Sequence, residues 1–330
     1  MPKFSIIVVS YESENWIGGC LEGLQAQTCN DFEVIVVDNA SQDNSAIEAE
    51  AFPLENKTVI RSPKNLGYAR GCNIGVRHAS GEWLVFLNPD TVARPDWLQQ
   101  IEAGQDRYPA TSVFACAQYE IGAVNTLDGV GDAYFGFGIP WRGGFGHPVS
   151  ALPEEGECFS PCGAAAVVRR EVFQKVGGFD KRFFCYCEDV DLGFRLRLAG
   201  ERCVFLKHAA IDHKGSAITG RYSDFTIYHG TRNRMWTYFK NMPLGLLLLT
   251  APGHFAISIY LLIRSASNGT FKPTLRGLLH GIGGLPGILK SRKRYDQVEP
   301  RVKIASSMTW NINDLRNRRP NVREFVPAKA

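Results

Sequence analysis

The sequence has no G-x-G-x-x-G after its first apolar run and no G-x-x-x-x-G-K-[ST] anywhere. The glycine-cradled dinucleotide and P-loop readings therefore fall away. It also lacks a charge surplus that would draw nucleic acid: 37 Lys and Arg face 33 Asp and Glu, a net of +4. A paired-cysteine framework is missing too. Nine cysteines, an odd number scattered over 330 residues, suit reduced thiols in a cytoplasm, because a chain this long needs no disulfides to hold a core. Cys158-x3-Cys162 and Cys185-x-Cys187, with His208 and His213 not far on, match no structural-zinc spacing. The opening MPKFSIIVVSYES carries an apolar run too short for a secretory segment and no small-residue cleavage site, so no export signal is expected. Charged residues at 21% and apolar residues at 45% exclude intrinsic disorder.

What is present is a regular alternation. Apolar β-branched runs at Phe4–Ser10, Phe32–Asp38, Thr58–Arg61 and Trp83–Leu87 are separated by helical stretches at Ser13–Gln27, Asn44–Glu50 and Leu66–Ala79. Strands such as IIVVS and EVIVVD are continuously apolar, as strands covered by helices on both faces must be, so a parallel, doubly wound α/β sheet is expected. Ligands of such sheets sit at the carboxyl ends of the strands. Polar residues gather there: Ser10-Tyr11-Glu12, then Asp38-Asn39-Ala40-Ser41, then Asn88-Pro89-Asp90. The arrangement predicts a nucleotide pocket. From about Ala110 to Pro161 the chain is rich in glycine and aromatics, and reads as irregular strands and a long loop over that pocket.

A strand at Gly163–Arg169 precedes GGFDKRFFCYCEDVDLGFRLRLAG, whose second half has helical spacing. Glu188, Asp189 and Asp191 fall in the first turn of that helix, where the positive dipole end favours carboxylates; a charged helix start is a sufficient account of them by itself. After Tyr238 the character changes. Pro243–Ile263 carries no formal charge and is nearly long enough to span a bilayer, but Pro252-Gly253-His254 interrupts its middle. A membrane hairpin or in-plane helix is expected, or a helix buried against the body or a second subunit. A second apolar stretch, Leu275–Leu289, leads into Lys290, Arg292, Lys293 and Arg294. Residues 290–330 hold 11 basic and 4 acidic side chains, net +7, which leaves 26 against 29, or −3, on residues 1–289. The division expected is 1–240 as the sheet domain and 241–330 as a helical extension with a basic tail.

Five motifs in order, SIIVVSYES, VIVVDNASQDNS, NLGYARGCNIGV, FLNPDT and GGFDKRFFCYCEDVDLGFRLRLAG, make the stretch from Phe4 to about Asn241 resemble the inverting family 2 glycosyltransferases of GT-A fold. Within them the sequence looks most like the rhamnosyltransferase branch of cell-surface polysaccharide synthesis. The resemblance implies a nucleotide-diphosphate sugar donor, dTDP- or UDP-linked, with dTDP-L-rhamnose the leading expectation. It implies a lipid-linked or polysaccharide glycan acceptor at the inner face of the cytoplasmic membrane; the apolar stretches and basic tail add the expectation of peripheral attachment there, and the small charge surplus that of no nucleic acid partner. A homodimer is the other use for the apolar helices, and a catalytically silent sugar-nucleotide scaffold is the other reading of the whole.

The same resemblance assigns roles. Asp38 would accept a hydrogen bond from the pyrimidine, though VVDNAS is also good Asx-turn chemistry. Ser10, Tyr11 and Glu12 would line the nucleotide pocket, with Gly67, Arg70 and Asn73 bordering it. Asn88-Pro89-Asp90 stands where the family carries D-x-D, so Asp90 is the firm ligand for Mg²⁺ or Mn²⁺ and Asn88 a donor-side contact. His213, 24 residues after Asp189, matches the family's metal histidine, with His208 the weaker candidate. Glu188-Asp189 matches the ED motif, whose aspartate is the general base for the acceptor hydroxyl. Trp83 and Trp97 sit at core spacing, which leaves Trp141, in WRGGFGH, as the sugar or acceptor platform.

Overall fold

The computed structural model describes residues 1–326 except 216, 219, 221 and 293–300. Its first part alternates β1 (Phe4–Ser10), α1 (Glu14–Gln25), β2 (Phe32–Asp38), α2 (Ser45–Ala51), β3 (Lys57–Arg61), α3 (Tyr68–His78) and β4 (Trp83–Leu87). A short β5 (Thr91–Ala93) and α4 (Trp97–Arg107) lead to β6 (Val113–Glu120), β7 (Leu127–Gly129), β8 (Asp132–Phe135), β9 (Ile139–Arg142), β10 (Gly156–Cys158) and β11 (Ala165–Arg169). Then come α5 (Arg170–Val176), α6 (Glu188–Leu198), β12 (Cys203–His213), α7 (Asp224–Asn241), α8 (Leu244–Ser267), α9 (Phe271–Lys290), α10 (Arg301–Ser307) and α11 (Ile312–Arg316).

The main sheet runs β10-β12-β6-β11-β4-β1-β2-β3. Strands β3, β2, β1 and β4 are parallel, which puts the carboxyl ends of β1, β2 and β4 along one edge. Every residue of β1 and β4 is buried, as their unbroken apolar sequences require of strands covered on both faces. The sheet is mixed rather than wholly parallel: β11 lies antiparallel to both β4 and β6. The stretch expected to be irregular from Ala110 holds an eight-residue central strand, β6, which pairs with β11 and β12. Its alternation was hidden because both of its faces are packed, leaving FACA apolar throughout.

Helix α3 begins at Tyr68, two residues later than its periodicity predicts. Gly67 has φ +79°, and a Cβ there would stand 2.5 Å from the Phe184 carbonyl oxygen. Only glycine takes that turn at that closeness.

Helix α8 runs unbroken through Pro252, contrary to the interruption expected there. Its neighbours hold it: His254 stacks on Tyr238 at 4.0 Å and donates from Nδ1 to the Phe137 carbonyl at 2.9 Å. Residues beyond α10 return to the sheet domain, where Thr309 bridges Phe135 and Arg323 bridges Glu157. Lys293 and Arg294 lie outside the described residues.

Candidate active site

A cavity of about 590 Å³ opens at the carboxyl edge of the parallel strands. Tyr11 and Glu12 reach it from the end of β1, Asn39 from β2, Asn88 and Asp90 from β4, Gly67 and Tyr68 from the start of α3. Glu188 and Asp189 enter from the start of α6, His213 from the end of β12 and Arg142 from β9. Strand β5, directly after Asp90, pairs antiparallel with the end of β12 and sets Thr91 opposite His213. That pairing brings two side chains distant in sequence face to face, His213 Nε2 lying 3.3 Å from Asp90 Oδ1.

Both are buried. Burial pushes the Asp90 carboxyl up, but the hydrogen bond and charge of His213 outweigh it and hold Asp90 below its ordinary value. His213 Nδ1 lies 2.6 Å from Asp128 Oδ2, which leaves Nε2 as the ring nitrogen turned towards Asp90. An imidazole nitrogen so oriented beside one carboxylate fits a divalent cation that completes its shell with phosphate oxygens and water. Among the described residues no group of three or more His, Cys, Asp or Glu is placed to hold a metal unaided.

The loop before α6 is strained. Phe184, Tyr186 and Cys187 have φ of +65°, +70° and +60°, a left-handed conformation costly for such side chains. One amide pays for it: Asn233 Nδ2 points at the carbonyls of Phe183, Cys185 and Tyr186 at 2.8, 2.8 and 2.7 Å. At the end of this loop Asp189 Oδ2 accepts the Gly163 N–H at 2.8 Å and Oδ1 that of Val190 at 2.8 Å. Burial raises the Asp189 pKa above the ordinary carboxylate value despite these donors. Glu188 is raised further, by burial and then by the charge of Asp189, and its Oε2 has no hydrogen-bond partner among the described residues.

Asp191 takes no part. It is wholly buried and bound to Arg195 Nε at 2.9 Å, Lys240 Nζ at 2.8 Å and Asn241 Nδ2 at 2.8 Å, which joins α6 to α7.

The structure therefore brings together Tyr11, Glu12, Gly67, Asn88, Asp90, Glu188, Asp189 and His213. Asp38 closes β2, with Oδ2 accepting the Ser41 N–H at 3.4 Å in the turn and Oδ1 buried with no hydrogen-bond partner among the described residues. Five of the residues expected at the site, Asp38 among them, do not line the cavity. Ser10 lies beneath the cavity wall, its Oγ 2.6 Å from that of Ser13. Arg70 is exposed on α3 and does not line the cavity. Asn73 is occupied with the backbone of Phe179, donating to its carbonyl at 2.8 Å and accepting its N–H at 3.0 Å. Trp141 is buried against Ala133 and Phe135 and donates Nε1 to the Arg319 carbonyl at 3.1 Å, so it offers no open ring face. His208 is exposed at a bulge in β12, away from the site. Arg142 and Asp128 were missed, because nothing in their spacing links them to the motifs; Asn65, which heads NLGYARGCNIGV and lines the cavity, was passed over in favour of its motif neighbours.

Residues 5–177 match the model of Glycosyl transferase family 2, and residues 147–242 that of Glycosyltransferase like family 2. The chain belongs to glycosyltransferase family 2. The O-antigen biosynthesis protein RfbC of Myxococcus xanthus is 32% identical over 234 residues, which is 66% of this chain and 18% of that protein. The chain thus spans less than a fifth of that relative's length. An N-acetylglucosaminyl-diphospho-decaprenol L-rhamnosyltransferase of Mycobacterium tuberculosis is 27% identical over 240 residues, 66% of this chain and 77% of the relative. In fold, residues 1–349 of S. aureus TarS in complex with UDP-GlcNAc superpose with a TM-score of 0.57 at 18% identity, covering 94% of this chain and 93% of the other. The fold of this family 2 chain is accordingly GT-A: a mainly parallel sheet flanked by helices, with further helices at the C-terminus.

Proposed function

We propose that this protein is an inverting glycosyltransferase of cell-surface glycan synthesis, moving a sugar from a nucleoside diphosphate donor to a glycan acceptor. The observation that carries the reading is that Asp189 and the Asp90–His213 pair open into one cavity at the carboxyl edge of β1, β2 and β4. The base of a dTDP or UDP donor lies by Asp38, and its ribose by Glu12. Asp90 and His213 would hold Mg²⁺ or Mn²⁺, which would supply positive charge to offset that of the diphosphate. Asp189 takes the proton of the acceptor hydroxyl as that oxygen bonds to the anomeric carbon. The bond from that carbon to the diphosphate oxygen breaks, and its electron pair leaves with the nucleoside diphosphate. One displacement inverts the centre without a covalent enzyme intermediate. L-Rhamnose is the leading donor sugar, a choice supported by the mycobacterial relative's name.

The acceptor is lipid-linked, and the protein lies on the inner face of the cytoplasmic membrane, with residues 1–240 doing the chemistry and the helices after 241 seating it. In support, α8 is long and apolar enough to cross a membrane, and its Leu248 and Leu249 are 69% and 75% exposed. The test is a donor panel: incubate the protein with Mg²⁺ or Mn²⁺, membrane lipid extract and each common nucleotide sugar, and follow nucleoside diphosphate release. Release with a dTDP- or UDP-sugar is expected; silence with every donor would favour a binding scaffold.

A further inference from the structure

Asp128 stands where two functional side chains meet. It is wholly buried in β7, and its Oδ2 receives both His213 Nδ1, at 2.6 Å, and Arg142 Nη1. The first contact keeps a proton on Nδ1 and leaves Nε2 as the nitrogen facing Asp90. The second uses one guanidinium nitrogen only. Arg142 lines the cavity with its side chain 28% exposed, and its other donors have no hydrogen-bond partner among the described residues. Gly129, next in the chain, supplies the space: a Cβ there would stand 2.7 Å from Arg142 Cγ and Cδ. Adjacent residues thus provide the anchor and the channel for one arginine.

We propose that Asp128 is the positioning residue of this site, presenting His213 Nε2 to the cation and the free edge of Arg142 to the donor's diphosphate. Because both side chains share one oxygen of Asp128, the guanidinium sits on the cation side of the cavity, where the diphosphate lies. A guanidinium is a planar fork matched to phosphate oxygens, and with one nitrogen on Asp128 its remaining edge is already aimed. The role of Arg142 rests on the glycosyl-transfer reading; the orientation of His213 does not.

The test is binding, without turnover. Mn²⁺ affinity is read from the free ion's electron paramagnetic resonance, and UDP and dTDP affinity by calorimetry with Mn²⁺ saturating, for wild type, Asp128→Asn, Arg142→Gln and Gly129→Ala. Asp128→Asn is expected to weaken Mn²⁺ about 10- to 100-fold, the usual loss when a partner behind a ligand is removed. Arg142→Gln and Gly129→Ala are expected to weaken nucleoside diphosphate about tenfold or more while Mn²⁺ binding without nucleotide stays within about twofold. Wild-type Mn²⁺ affinity in Asp128→Asn, or wild-type nucleotide affinity in Arg142→Gln, overturns the proposal. Should Asp128→Asn not fold, nitrogen-15 spectra of the wild-type protein with Mg²⁺ decide: a proton on His213 Nδ1 supports the assignment and a bare Nδ1 refutes it. Failure of wild type to bind UDP or dTDP would instead count against glycosyl transfer, and the spectrum would still judge Asp128.

Discussion

The Gly163 N–H donates to Asp189 Oδ2 at 2.8 Å and fixes the carboxylate at the mouth of the cavity. An asparagine can keep that bond but cannot take a proton. Asp189→Asn is therefore expected to lose turnover by at least about a hundredfold while donor binding, by calorimetry, and the melting temperature stay near wild type. Near-normal turnover would move the base to Glu188.

The acid limb of the rate follows from the same residue. Its pKa lies above the ordinary 3.8, chiefly through burial, so activity falls as pH drops through that raised value and the base becomes protonated. A profile of kcat/KM against pH checks this, and an acid limb at or below 3.8 would contradict it.

Asp191 should behave oppositely to its neighbour. The charges of Arg195 and Lys240 outweigh burial and hold its carboxyl below the ordinary value. A depressed carboxylate contributes stability above its unfolded pKa and loses it as pH falls through the folded one. Asp191→Ala leaves Lys240 and Arg195 without that partner and should cost about 3–5 kcal/mol at pH 7. Thermal melts should show the gap to wild type closing in acid; an unchanged melting temperature at pH 7 would refute the role.

Removal of divalent cations should stop nucleotide-sugar turnover, with Mn²⁺ or Mg²⁺ restoring it, and Asp90→Ala and His213→Ala should each raise the cation concentration required. Full activity in EDTA would leave Arg142 as the cation facing the leaving group.

For membrane attachment, the apolar face of α8 is the sharper target than the basic run after α9. Arg292 donates to the carbonyl of Met242 at 2.6 Å and to that of Phe239, so its charge is engaged at the end of α7. Replacing Leu248 and Leu249 by aspartate should release the protein from anionic vesicles in a sedimentation assay without slowing transfer to a soluble acceptor. Wild type that stays in the supernatant at low salt would favour a dimer seam instead.

Much of the fold was legible because parallel strands buried on both faces must be apolar throughout: β1, β2 and β4 begin and end where their sequences say. The carboxylates of the site were legible as well, since they fall at strand ends and at a helix start, positions local sequence defines. Pairing between distant segments was not. His213 reaches Asp90 only because β5 pairs with β12, and Asp128 lies 85 residues before the histidine it binds. Trp141 and Asn73 have the composition of site residues, yet the tertiary structure commits one to an apolar cluster and the other to a backbone clamp. Local sequence sets which groups stand at the ends of elements; which of them face one another depends on strand order and packing, which bring together residues that no spacing relates.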